Sequence, residues 1–108
     1  MRKIILFSAS YGVQGLGSAI TRDIPRAEAI ARKMVDLAPF PIRHFARETE
    51  PGRTAYIGYI PEEKYRLWEK ESRALEKKGC WDTTPPQLRA LRRRAIEAED
   101  AEEAVERR

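Results

Sequence analysis

The chain has 108 residues, 42% of them hydrophobic and 35% charged, which is one domain's worth of sequence with too many aliphatic side chains for disorder and too little length for a second core. Its formal net charge of +4 favours an anionic partner. Cys80 is the single cysteine, excluding an intrachain disulfide and a multi-cysteine zinc site.

Lys3 to Ser8 is a short apolar run bounded downstream by glycines, the pattern of a buried strand. Tyr11 to Thr21 contains Gly12, Gly15 and Gly17 and reads as a loop. From Asp23 the apolar positions Ile24, Ala27, Ile30, Ala31, Met34 and Leu37 or Ala38 recur at helical spacing, with Pro25 near the start and Pro39 beyond the end. Ile42 to Glu48 and Thr54 to Ile60 are β-compatible runs around Glu50-Pro51-Gly52-Arg53, which suits a type II turn, so together they predict a hairpin. Pro61, Glu62 and Glu63 suit the start of a second helix with Tyr65, Leu67, Trp68, Ala74 and Leu75 as its apolar residues and Gly79 as its terminator. Thr84-Pro85-Pro86-Gln87 fits a capping box opening a third helix that runs nearly to the end.

This order predicts an α+β fold: a small antiparallel sheet of three or four strands in ferredoxin-like or split βαβ order, two packing helices and a C-terminal charged helix. The fourth strand would lie around Cys80 to Asp82; otherwise the C-terminal extension closes the sheet. Residues 1–83 are expected to form the α+β domain and 84–108 a helical extension of it. The longest apolar stretch, Ile4 to Phe7, is far short of the roughly 20 residues of a membrane helix, and no signal-peptide pattern follows the start, so a soluble cytoplasmic protein without membrane attachment is expected.

Gly12 and Gly17 have the separation of a phosphate-binding P-loop, but Ser18 and Ala19 stand where the lysine and hydroxyl are required. The run from Ala9 to Ile20 is similar to the glycine motif of short-chain dehydrogenases, with Tyr11 in the place of an early glycine; a dinucleotide fold does not fit in the remaining length. No cofactor is expected. Cys80 and His44 are the only thiol and imidazole, and His44 has no second histidine at ligand spacing, so neither a catalytic dyad nor a metal site is expected. The chain reads as a non-enzyme.

Ala55-Tyr56-Ile57-Gly58-Tyr59 resembles the latter half of the ribonucleoprotein motif on the third strand of RNA-recognition domains, where alternate aromatics stack on bases. The resemblance spans five residues and implies stacking roles for Tyr56 and Tyr59, although a spacing of three sets them on opposite faces of a regular strand. Arg43, Arg47 and Arg53 surround the hairpin as a basic patch. In the third helix Arg89, Arg92, Arg93 and Arg94 precede Glu97, Glu99, Asp100, Glu102, Glu103 and Glu106, a layout opposed by the helix dipole.

These features predict a binding module attaching to nucleic acid or a nucleoprotein complex through its arginines, or alternatively an adaptor or inhibitor that docks its charged C-terminal helix on a partner protein. Leu88, Leu91, Ala95 and Ala98 lie at a/d spacing and would form the seam of a weak antiparallel homodimer that pairs the arginine half of one helix with the acidic half of the other.

Overall fold

A computed structural model describes residues 1–10 and 24–106. The expected glycine loop, with Gly12, Gly15 and Gly17, lies outside the described residues. The elements in chain order are β1 (Arg2–Ser10), α1 (Ile24–Leu37), β2 (Arg43–Glu50), β3 (Arg53–Ile60), α2 (Glu62–Lys77) and α3 (Pro86–Glu106).

The predicted hairpin forms, with Gly52 at φ 81° in the third turn position, where only a glycine sits without strain. β3 pairs antiparallel with β2 and with β1, giving the order β1-β3-β2 and placing β3 between the two strands that α1 connects. Cys80 to Asp82 forms no strand, so among the described residues the sheet has three strands and the fourth of a ferredoxin-like sheet is missing.

Each edge strand carries a bulge. On β1, Ile5 opposes Ile57 and Phe7 opposes Tyr56, leaving Leu6 as the extra residue. On β2, Arg43 opposes Tyr59 and Ala46 opposes Ile57, so His44 and Phe45 share the place facing Gly58. Gly58 is required by packing: a Cβ there would lie 2.5 Å from Ile42 Cγ2 and 3.1 Å from Leu6 Cδ1.

One face of the sheet carries the core. Leu6, Tyr56 and Ile60 meet Ile30 and Met34 of α1, and Trp68 of α2 meets Phe40 edge-on with ring centroids 5.2 Å apart. α1 packs on β1, β3 and α3. The second helix layer beside α1 is therefore α3, not α2, because α3 supplies Leu88, Leu91 and Ala95 to the core while α2 buries only Trp68.

α2 ends in a Schellman motif: Gly79 at φ 80° donates its amide to Glu76 O at 3.0 Å, and Cys80 donates to Leu75 O at 3.1 Å. The expected reach of Gln87 back to Thr84 gives way to tertiary bonds, since Gln87 Oε1 accepts from Trp68 Nε1 and Lys64 Nζ, each at 3.2 Å. Asp82 Oδ1 accepts from the Thr84 amide at 3.0 Å, and the Thr84 hydroxyl first, with that amide bond second, holds the Asp82 carboxyl below its ordinary pKa.

Candidate nucleic-acid interface

Alternation along β3 sends Tyr56 and Ile60 to the helices and Ala55, Ile57 and Tyr59 to the opposite face, which no described helix covers. Cross-strand register builds rows on this open face. Lys3, Tyr59 and Arg43 form one row; Ile5, Ile57 and Ala46 form the next; Ser8, Ala55 and Glu48 follow. Lys3 Nζ reaches Glu48 Oε1 at 3.1 Å and Oε2 at 3.2 Å, and the register makes this pair a strap over β3 above Ile57, which is 2% exposed.

His44 takes φ 57°, in the left-handed region that a non-glycine residue rarely occupies, and its ring meets Tyr59 edge-on at 5.7 Å. The bulge thus turns a side chain that would alternate into the core onto the Tyr59 face. Tyr59 is partly exposed between two cations, with His44 against it and exposed Ile5 one row away. Exposed pairs such as Lys3–Glu48 contribute only about 0–1 kcal/mol, so the Lys3 ammonium can exchange its carboxylate for another anion.

The sequence-derived arginine patches disperse. Arg43 is on the open face; Arg53 is too, but six residues of β3 away from Tyr59 and paired with Glu50 at 2.8 Å. Arg47 opposes Tyr56 on the helix side of the sheet, so the three do not make one patch. Tyr56 is fully buried, stacked on Phe45 at 5.9 Å, with its hydroxyl donating to Ile24 O at 3.4 Å; burial raises its pKa and removes it from the stacking set.

In α3 the arginines point to different tasks. Arg92 donates Nε to Leu6 O at 2.7 Å and Nη2 to Ile5 O at 2.8 Å, satisfying the two edge carbonyls that the β1 bulge turns outward. Burial lowers its pKa, and these two bonds tie its guanidinium to β1, so it acts as a structural clamp. Arg89 Nη2 donates to Asp82 O and Thr84 O, each at 3.4 Å, at the start of its helix. Arg93 and Arg94 stay in solvent.

The dimer seam is corrected in the same way: Leu88, Leu91 and Ala95 are 6%, 3% and 0% exposed inside the chain's own core, with Ala98 half-buried beside them, so they cannot also face a second copy. The acidic half of α3 has its partner on α1. Arg26 Nη1 lies 2.6 Å from Asp100 Oδ1 and 3.4 Å from Glu103 Oε2, while Lys33 Nζ lies 2.7 Å from Glu102 Oε2 and 3.2 Å from the buried Glu99 Oε2. This contact answers the unfavourable charge order. Arg26 and Lys33, seven apart on one helical face, were legible as its counterpart but only once α1 and α3 are known to touch.

No group of three or more His, Cys, Asp or Glu side chains that could hold a metal occurs among the described residues, and none of their helices is long and apolar enough to cross a membrane. No protein-family model matches the chain, and no curated protein or solved structure is significantly similar to it.

Proposed function

We propose that the chain is a non-enzymatic module that binds single-stranded nucleic acid on the open face of its sheet, with Tyr59 as the stacking platform and Arg43 and Lys3 as phosphate contacts. The observation that carries this reading is the row Lys3–Tyr59–Arg43, one aromatic ring flanked by a cation on each neighbouring strand of a face that no described helix covers. Aromatic stacking with flanking positive charge is the sequence-tolerant way to hold an unpaired strand. The unusual backbone of His44, whose ring buttresses Tyr59, supports it further, because strained conformations concentrate where a side chain must be aimed. The net charge of +4 acts in the same direction.

Fluorescence anisotropy with a labelled dodecauridylate across a salt series tests this reading. Binding is expected at about 50 mM salt, with Tyr59→Ala weakening it about tenfold or more and Arg43→Ala reducing the log–log salt slope by about 0.7. No binding at that salt concentration, or a Tyr59→Ala protein that binds like the parent, refutes it.

A further inference from the structure

A second surface lies at the far end of α2. Trp81 is 95% exposed, the most exposed large apolar side chain of the described residues, and it borders a cleft of about 270 Å³ that Leu75, Cys80, Asp82 and Arg89 also line. A lone exposed apolar side chain is ordinary; what marks Trp81 is nearly complete exposure of a large indole at the border of a cleft. The Schellman motif at Gly79 fixes the chain direction leading to it, and the Asp82–Thr84 turn holds the other side. Trp81 is therefore displayed on a defined backbone.

The end of α2 that leads to it is net positive, since the exposed Lys77 and Lys78 outnumber the exposed Glu76. Lys77 and Lys78 are exposed without an acidic partner among the described residues. Asp82 spends both carboxylate oxygens internally, one on the Thr84 amide at 3.0 Å and the other against Arg89 at 3.5 Å. We propose that this tip docks an acidic segment of a partner protein, which inserts one apolar side chain into the cleft between Trp81 and Leu75 and sets its carboxylates against Lys77 and Lys78. The cleft is larger than the roughly 150 Å³ void that accommodates benzene, so one aromatic ring fits. Trp is the residue type most enriched among energetically dominant contacts. A second copy of this chain is disfavoured because a two-fold contact brings two basic tips together.

The probe is an N-acetylated, C-amidated heptapeptide of six glutamates around a central phenylalanine, titrated into the full-length ¹⁵N-labelled protein. The sequence has two tryptophans, so two indole signals report separately. The Trp81 indole and the backbone amides of Leu75 and Arg89 are expected to shift saturably at about millimolar peptide, while the indole of Trp68, bonded to Gln87, stays in place. Trp81→Ala, a change at an exposed side chain that leaves the fold intact, abolishes the shifts, and Lys77→Glu with Lys78→Glu weakens them about tenfold. The proposal is overturned if about 5 mM peptide leaves Trp81 unmoved, or if peptides with serine for glutamate or alanine for phenylalanine bind equally well. It is also overturned if decathymidylate, or vesicles of phosphatidylcholine and phosphatidylglycerol, shift Trp81 more strongly than the acidic peptide does.

Discussion

β3 carries two tyrosines three residues apart, and the two faces of the sheet give them opposite roles. Tyr56 is fully buried under α1, stacked on Phe45 and bonded to Ile24 O, whereas Tyr59 stands partly exposed between Lys3 and Arg43 with the His44 ring against it. A single strand thus separates its two tyrosines by alternation: Tyr56 holds the domain together and Tyr59 reaches the surface, while Ala55 and Ile57 on the Tyr59 face stay buried.

The largest expected effect separates these two positions directly. Tyr56→Ala should cost about 3–5 kcal/mol in urea denaturation, the range for removing a large aromatic from a packed core, whereas Tyr59→Ala should cost under about 1.5 kcal/mol. Equal losses would erase the distinction between the faces.

A smaller effect tests whether the edge is held independently of either face. Arg92→Met strips Ile5 O and Leu6 O of their donors and should cost about 1–3 kcal/mol, accompanied by faster hydrogen exchange of the β1 amides. Unchanged exchange in β1 would show that the clamp contributes little.

The smallest effect concerns the helix layer behind the covered face. Lys33→Met combined with Glu99→Leu replaces a mostly buried ion pair by apolar contacts and should stay within about 1 kcal/mol of the parent at neutral pH. Hydrogen bonding to Glu102, reinforced by Glu99, raises the Lys33 pKa above 10.5. A cation whose folded pKa is raised stabilises the fold below its unfolded value, and that contribution disappears as pH rises through the folded value. The parent should therefore lose stability relative to the double variant above about pH 10.5, measured as the difference between their urea midpoints at pH 8 and pH 11. A difference that does not move with pH would remove Lys33 from the account.

Much of the fold was readable before any coordinates. Helical spacing of Ala27, Ile30, Ala31 and Met34, the Pro51-Gly52 turn and the Gly79 stop are local signals, and local signals are what a single sequence expresses. The opposite facing of Tyr56 and Tyr59 also followed from strand period alone. The two bulges did not, because Leu6 and His44 look like ordinary strand residues until register is known, and it is the bulge that brings His44 to Tyr59. Sequence proximity was also no guide to how the α3 arginines are grouped: Arg89, Arg92, Arg93 and Arg94 are neighbours in sequence, but helical rotation and tertiary contacts send Arg92 to β1 and Arg89 to its own helix start, leaving Arg93 and Arg94 in solvent. The reversed charges of α3 were seen correctly and given the wrong counterpart, since Arg26 and Lys33 meet them inside the same chain.

The clamp on β1 has a consequence for how the protein behaves when crowded. A three-stranded sheet has two open borders along which foreign strands could add and begin a fibril. On β1, Arg92 already occupies the carbonyls of Ile5 and Leu6; on β2, the left-handed kink at His44 and the charges of Arg43, Arg47, Glu48 and Glu50 spoil the flat, neutral template that growth requires. Neither border of the sheet therefore offers a ready place to start polymerising.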